Sequence, residues 1–207
     1  MPHRFRKDTI TDAHLEVYRE MIEEALAKAA LSMGQMLRIR VEYDLIDFGP
    51  GLLEKIEEFD DLGRFKVNVV KVAFNGEIKG AFYFIINVHE TQLINKVCLP
   101  DAVNTTRNSE ASMMKHDFMT EIENLIASMS ITEISEFLGV QLLMEVPQMR
   151  TMKGEEVNEY LDNQNEVNRT QFFVKSTLNG VAVNISPYFI WMIDENFINI
   201  SSQNIVI

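Results

Sequence analysis

The chain has 207 residues, with 31 Asp and Glu against 19 Lys and Arg, a formal net charge of −12, 46% hydrophobic and 24% charged residues. That balance suits a globular protein with a sizeable core, and the acid excess argues against nucleic acid as a partner, since phosphate binding needs a basic stripe. The apolar stretch 81–88, interrupted only by Asn87, is too short to span a bilayer, no apolar stretch follows the basic residues 1–7 as in a signal peptide, and a lone cysteine, Cys98, forms neither an internal disulfide nor a thiolate metal site. The expected setting is the cytoplasm, without membrane contact.

Residues 12–33 predict an amphipathic helix. Leu15, Tyr18, Ile22, Leu26, Ala29 and Met33 recur at spacings of three and four, and Gly34 stands where a helix stop belongs. Alternating apolar residues then predict a strand over 36–48, broken by Pro50-Gly51. The acidic stretch 52–63 reads as a short helical segment. Residues 65–74 and 78–88 predict strands joined by Asn75-Gly76, a hairpin signal because both positions tolerate positive φ. A short helix over 89–99 ends before Pro100, and the polar stretch 101–112 is a connection.

A second long helix follows over 113–138, with Phe118, Ile122, Leu125 and Met129 as its buried stripe and Gly139 as its stop. Residues 140–146 predict a strand ending at Pro147, and the polar stretch 149–170 a flexible insertion. Strands at 172–177 and 181–185 flank a second hairpin signal, Asn179-Gly180, and a further strand at 188–193 contains Trp191, a core candidate. The halves repeat. A shift of 105 carries Asp12 to Asp117, Glu16 to Glu121, Arg19 to Asn124 and Gly34 to Gly139. The predicted fold class is α+β: one domain with a pseudo-twofold axis, repeats near 12–100 and 113–193, and both long helices on one face of a mainly antiparallel sheet.

Asp117, Glu121 and Asn124 fall at i, i+4 and i+7, so they project from one face of the second helix, and Ser128, Thr132 and Ser135 continue the column. Any solvated helix face carries such residues, so alone they say little. Pro147 adds information. With Asp117, three residues, Glu121, two residues, Asn124, twenty-two residues and Pro147, the chain resembles the CheC/CheX/FliY family of response-regulator phosphatases. The segment 74–86, with its glycine-bearing hairpin and apolar strand, adds to the resemblance, as does the doubled layout; the resemblance covers roughly residues 12–193 and does not take in the segment 149–170 or the tail after Ile193.

The resemblance implies hydrolysis of the aspartyl-phosphate of a CheY-like response regulator, with Mg²⁺ in the regulator and no cofactor in this chain. It assigns Asn124 to holding water in line with phosphorus, because a side-chain amide offers both a donor and an acceptor. It assigns Glu121 to the regulator's lysine, Asp117 and Ser128 to docking, and Pro147 to a structural role. His3, His14, His89 and His116 are scattered, so no metal site is expected. In the first half Asp12 and Glu16 match, but Arg19 stands where asparagine would and Glu42 where proline would, which predicts a degenerate first site. A guanidinium has no acceptor and cannot orient water as an amide does. Because the same fold serves in the flagellar switch, a non-catalytic switch or adaptor protein is the alternative; a CheD-like deamidase is a further candidate partner.

Overall fold

The two halves of the chain run through the same elements in the same order. The computed structural model describes residues 10–204. The first half comprises α1 (Asp12–Leu37), β1 (Val41–Pro50), α2 (Glu57–Asp61), β2 (Lys66–Gly76), β3 (Gly80–Asn87) and α3 (Val88–Cys98). A short linking helix, α4 (Asp101–Thr105), leads into the second half: α5 (Ser109–Leu138), β4 (Leu142–Met144), β5 (Gln148–Lys153), α6 (Gly154–Asn168), β6 (Thr170–Gly180), β7 (Tyr188–Asp194) and α7 (Asn196–Asn204). All strand pairs are antiparallel, in the order β1-β6-β7-β3-β2, with β4 and β5 sharing the outer edge of β2. The order reads the same from either end once β1 is matched to β4–β5, β6 to β2 and β7 to β3. The axis between the halves therefore passes between β3 and β7.

Both faces of this sheet are covered, which is why the central strands read as nearly unbroken apolar runs rather than alternating ones. On one face Val70, Val72, Phe82, Phe84, Phe189 and Trp191 meet α1 and α5 in the larger core, which also takes in Ile94 of α3 and Phe197 of α7. On the other, Val67, Val69, Tyr83, Ile85, Ile190 and Met192 meet Phe59 of α2 and Val157 and Leu161 of α6. The expected placement of both long helices on one face is thus the observed one. Tyr18 ties α1 to the C-terminal helix: it is fully buried, its hydroxyl lies 2.7 Å from Ser201 Oγ, and its ring packs edge-on against Phe172. An ion pair at 2.5 Å, Lys28 Nζ to Glu133 Oε1, joins α1 to α5.

Several boundaries differ from the sequence reading. Helix α1 runs through Gly34 to Leu37, and it is Arg38, at φ 55°, that turns the chain out. Leu37, Ile39 and Val41 alternate in a way that fits a strand, so the pattern concealed the last helical turn. Segment 149–170 is not a flexible insertion: it forms β5 and α6, which pair with β2 and cover the second core. Its polar composition reflects an edge strand and a helix with one narrow buried line. Asn158 secures α6, accepting from the Ile56 N–H and donating to the Ile56 carbonyl, both at 3.0 Å. The expected strand at 181–185 is instead a 3-10 turn at Val181–Val183 followed by Asn184 at φ 51°. Both Asn-Gly pairs end their strands rather than occupying the turn.

The two central strands approach closely at Gly80. A Cβ there would lie 2.5 Å from the Met192 carbonyl oxygen and 2.6 Å from Phe74 Cζ, where β3 meets β7. Gly80→Ala must push the central strands apart, at a cost of about 1–3 kcal/mol. Chemical unfolding should show a lower denaturation midpoint; an unchanged midpoint would contradict the central packing.

Candidate functional site

Helix α5 begins with the Asn108 side chain accepting from the Ala111 N–H at 2.8 Å and ends at Gly139, whose φ of 67° favours glycine. Between these caps it presents the motif residues in one column. Asp117 and Glu121 are exposed and Asn124 is half-buried. Among the described residues, Glu121 and Asn124 make no side-chain hydrogen bond or ion pair, while Asp117 Oδ1 lies 3.4 Å from His116 Nδ1. The column below is self-satisfied: Ser128 Oγ donates to the Leu125 carbonyl at 2.9 Å, Thr132 Oγ1 to that of Ser128 at 2.8 Å, and Ser135 Oγ to that of Val140. The groups left available to another molecule are thus a carboxylate and an amide one turn apart, above a low ridge of small residues.

Pro147 interrupts the edge strand. Met144 faces Phe74 and Gln148 faces Lys71, so three residues span the interval that two cover on β2, a one-residue bulge. Proline has no N–H for the ladder and fits such a break on an edge strand. Strand β1 carries a matching bulge at Ile46, between the pairs Leu45–Ser176 and Asp47–Lys175.

The two bulges belong to a register that changes the reading of the first half. At the helix ends Gly34 answers to Ser135, Arg38 to Gly139 and Ile39 to Val140, each 101 residues on: both cap residues are left-handed, and Ile39 N–H bonds the Gly34 carbonyl as Val140 N–H bonds that of Ser135. The same shift carries every buried residue of α1 (Tyr18, Met21, Ile22, Ala25, Leu26, Ala29, Ala30, Met33, Leu37) onto a buried residue of α5. It carries Ile46 onto Pro147. The helices are therefore related by 101 residues rather than 105, and the counterparts of Asp117, Glu121, Asn124 and Pro147 are Glu16, Glu20, Glu23 and Ile46. The expected first site of Asp12, Glu16 and Arg19, with Glu42, is displaced by one helical turn. Four residues approximate a turn, so a shift of 105 superposes the stripes almost as well; the true end of α1 decides between them. Arg19 is the counterpart of Thr120. Its guanidinium lies 4.9 Å over the Phe48 ring, against a small cleft of about 190 Å³ beside the β1 bulge.

The buried stripe of α5 is also rotated from expectation. Phe118, Leu125 and Met129 are only partly buried, whereas Met119, Ile122, Glu123, Ile126, Ala127 and Ser130 face inward. Glu123 and Ser130 inside the stripe displaced the apolar periodicity by one position. Glu123 is fully buried, occupies the place that Ile22 holds in α1, and neither carboxylate oxygen has a hydrogen-bond partner among the described residues. Burial alone pushes its carboxyl well above the usual value of 4.5. Sequence reasoning passed over it because glutamate suited the polar face. Elsewhere, Cys98 is half-buried, with its thiol 3.8 Å from the Leu37 carbonyl, and Trp191 is fully buried. Among the described residues no three His, Cys, Asp or Glu side chains converge as a metal site requires, and no helix is long and apolar enough to cross a membrane. His3 lies outside the described residues.

The sign of the Glu123 effect follows from linkage. The folded state holds this proton more tightly than the unfolded chain, so stability declines as pH rises above about 4.5 and keeps declining up to the raised folded pKa. Glu123→Ile, which supplies the residue found in α1, should raise the thermal midpoint, and by more at pH 8 than at pH 5. A gap that stays constant or narrows with pH would mean the carboxyl is not buried unpaired.

No family model and no curated protein matches the sequence. Solved structures do. FliY from Thermotoga maritima superposes with a TM-score of 0.66 at 14% identity, covering 92% of this chain and 95% of that one. A chain of the CheX-CheY-BeF3-Mg²⁺ complex from Borrelia burgdorferi gives 0.55 at 19%, covering 84% and 98%. A chain of the FliM-SpeE complex from H. pylori gives 0.60 at 10%, covering 99% and 100%. The layers, strand order and paired long helices described above are those of the CheC/CheX/FliY-type fold, and this chain has that fold.

Proposed function

We propose that the protein is a phosphatase for the aspartyl-phosphate of a CheY-like response regulator. The observation that carries this reading is the pair Glu121 and Asn124: unpartnered among the described residues, one turn apart on the outer face of α5, in the spacing that ends at the Pro147 bulge. An acyl phosphate already activated in the regulator by Mg²⁺ and a lysine mainly lacks a positioned water. The Asn124 amide holds that water through one donor and one acceptor, which is positioning rather than proton abstraction, since an amide is a weak base. Glu121 pairs with the regulator's lysine and fixes the docking, with Asp117 at the rim. Ser128 contributes shape more than hydrogen bonding, its hydroxyl donating to the Leu125 carbonyl. The magnesium belongs to the regulator in this scheme. The crystallised CheX-CheY-BeF3-Mg²⁺ complex, in a protein of the same fold, supports the choice of partner.

The second reading is a binding protein of the flagellar switch, favoured by the FliM structures of the same fold, including a FliG-FliM complex. A CheD-like deamidase as an additional partner has no support beyond the sequence resemblance.

The two readings separate at Asn124. Asn124→Ala removes the amide and leaves the docking surface, so phosphoryl-regulator decay should slow by on the order of a hundredfold, about 3 kcal/mol, while binding of a beryllofluoride-activated regulator survives. Glu121→Ala should weaken binding as well as turnover, because it deletes an intermolecular charge pair. Wild-type protein that binds the regulator without hastening decay would establish the switch reading instead.

A further inference from the structure

We infer that Glu23 is the residue that silences the first half of the molecule, and that an amide at this position gives α1 a second hydrolytic site. The inference rests on the phosphatase reading of α5. By the register of helix caps and edge-strand bulges, α1 presents Glu16, Glu20 and Glu23 where α5 presents Asp117, Glu121 and Asn124. The likeness extends to exposure: the first two positions are exposed in both columns, and the third is half-buried in both. The two outer carboxylates are preserved. What changes chemically is the third position, from a neutral amide to a carboxylate.

That change removes both properties a water-positioning group needs. A carboxylate offers acceptors and no donor, so it cannot grip water from two sides as an amide does. It also adds a third negative charge to a column that must receive an anionic phosphoryl group. Arg19 does not cancel this charge. Its Nη1 lies 3.9 Å from Glu23 Oε1 with both side chains nearly half exposed, a pair worth little in water, and its guanidinium is drawn toward the Phe48 ring. Ile46, in place of Pro147, retains the bulge that shapes the edge strand beside the site. The scaffold of a second site is therefore present, and the side chain at position 23 is the group that withholds activity.

With Glu23→Asn, the step would be the one assigned to α5. The water oxygen bonds to phosphorus as the acyl P–O bond breaks, the regulator's aspartate leaves as its carboxylate, inorganic phosphate carries away the water oxygen with one proton, and the second proton passes to bulk solvent.

The test uses the full chain and a CheY-like regulator phosphorylated by acetyl phosphate, with Asn124→Ala as the background so that the α5 site is silent. Adding Glu23→Asn should speed phosphoryl decay at least tenfold over Asn124→Ala alone. Adding Arg19→Asn, the change that the 105-residue register would call for, should not. Circular dichroism of the variants guards against misfolding, and substitution at the half-exposed Glu23 leaves the core untouched. If wild-type protein hastens decay and Asn124→Ala abolishes this, yet Glu23→Asn restores nothing, or Arg19→Asn restores as much, the inference is overturned. If wild-type protein itself fails to hasten decay, the phosphatase reading falls, and does so independently of position 23.

Discussion

The pairing of β3 with β7 is the interaction on which the rest of this molecule depends. From Gly80–Ile193 to Ile85–Tyr188 the two strands lie side by side at the centre of the sheet, with both faces covered. Phe82 stands 5.6 Å from Trp191 edge-on and 5.8 Å from Phe189 in a stacked arrangement, so the aromatic core of the helical layer is built across this one ladder. Gly80 lets the backbones approach at its end. Because the strands belong to different halves, their contact sets the axis about which β2 answers to β6 and α1 to α5. Displacing this ladder would move each long helix relative to its edge strand.

That geometry explains why the motif column is accessible at all. The sheet takes one line of α5, from Met119 through Ile126 to Leu138, and the column of Asp117, Glu121 and Asn124 is left on the outer side. Between them sits Glu123, a buried acid with no partner among the described residues, which opposes stability and suits no packing rule. Natural sequences tend to break local rules near functional positions, and Glu123 adjoins the residue assigned to water. In α1 the same place holds Ile22, and the helix with the hydrophobic residue there is also the helix without the amide.

The asymmetry between the halves is chemical rather than architectural. Both keep a long helix ending in a left-handed cap, a bulged edge strand, a hairpin and a terminal helix. Along the motif column and its edge strand the differences include Glu23 for Asn124, Arg19 for Thr120 and Ile46 for Pro147, with Glu16 for Asp117, Ile22 for Glu123 and Ala27 for Ser128 beside them. A fold that serves both FliY-type and FliM-type proteins leaves function to such substitutions, because sheet and helix packing are indifferent to which polar group stands on a solvent-facing turn.

The sequence by itself determined much of this. Helical periodicity located α1 and α5 within a few residues, Gly139 was legible as a stop, and the apolar runs around Phe84 and Trp191 marked the central strands, since all of these reflect burial or backbone constraint carried by single residues. The spacing of Asp117, Glu121, Asn124 and Pro147 was equally legible, because three positions one turn apart on a helix need no tertiary information. Tertiary structure alone decided the ends and the register. Segment 149–170 became β5 and α6 because β2 and the second core were there to receive a largely polar chain. The inward turn of Glu123 followed from packing that its own side chain opposes. Most consequential was Arg38: by adopting the left-handed conformation expected of Gly34, it lengthened α1 by a turn and moved the first-half counterpart of Asn124 from Arg19 to Glu23. A helix tolerates glycine in its last turn when the following strand anchors the chain beyond it, and that anchor, the pairing of β1 with β6, exists only in the folded sheet.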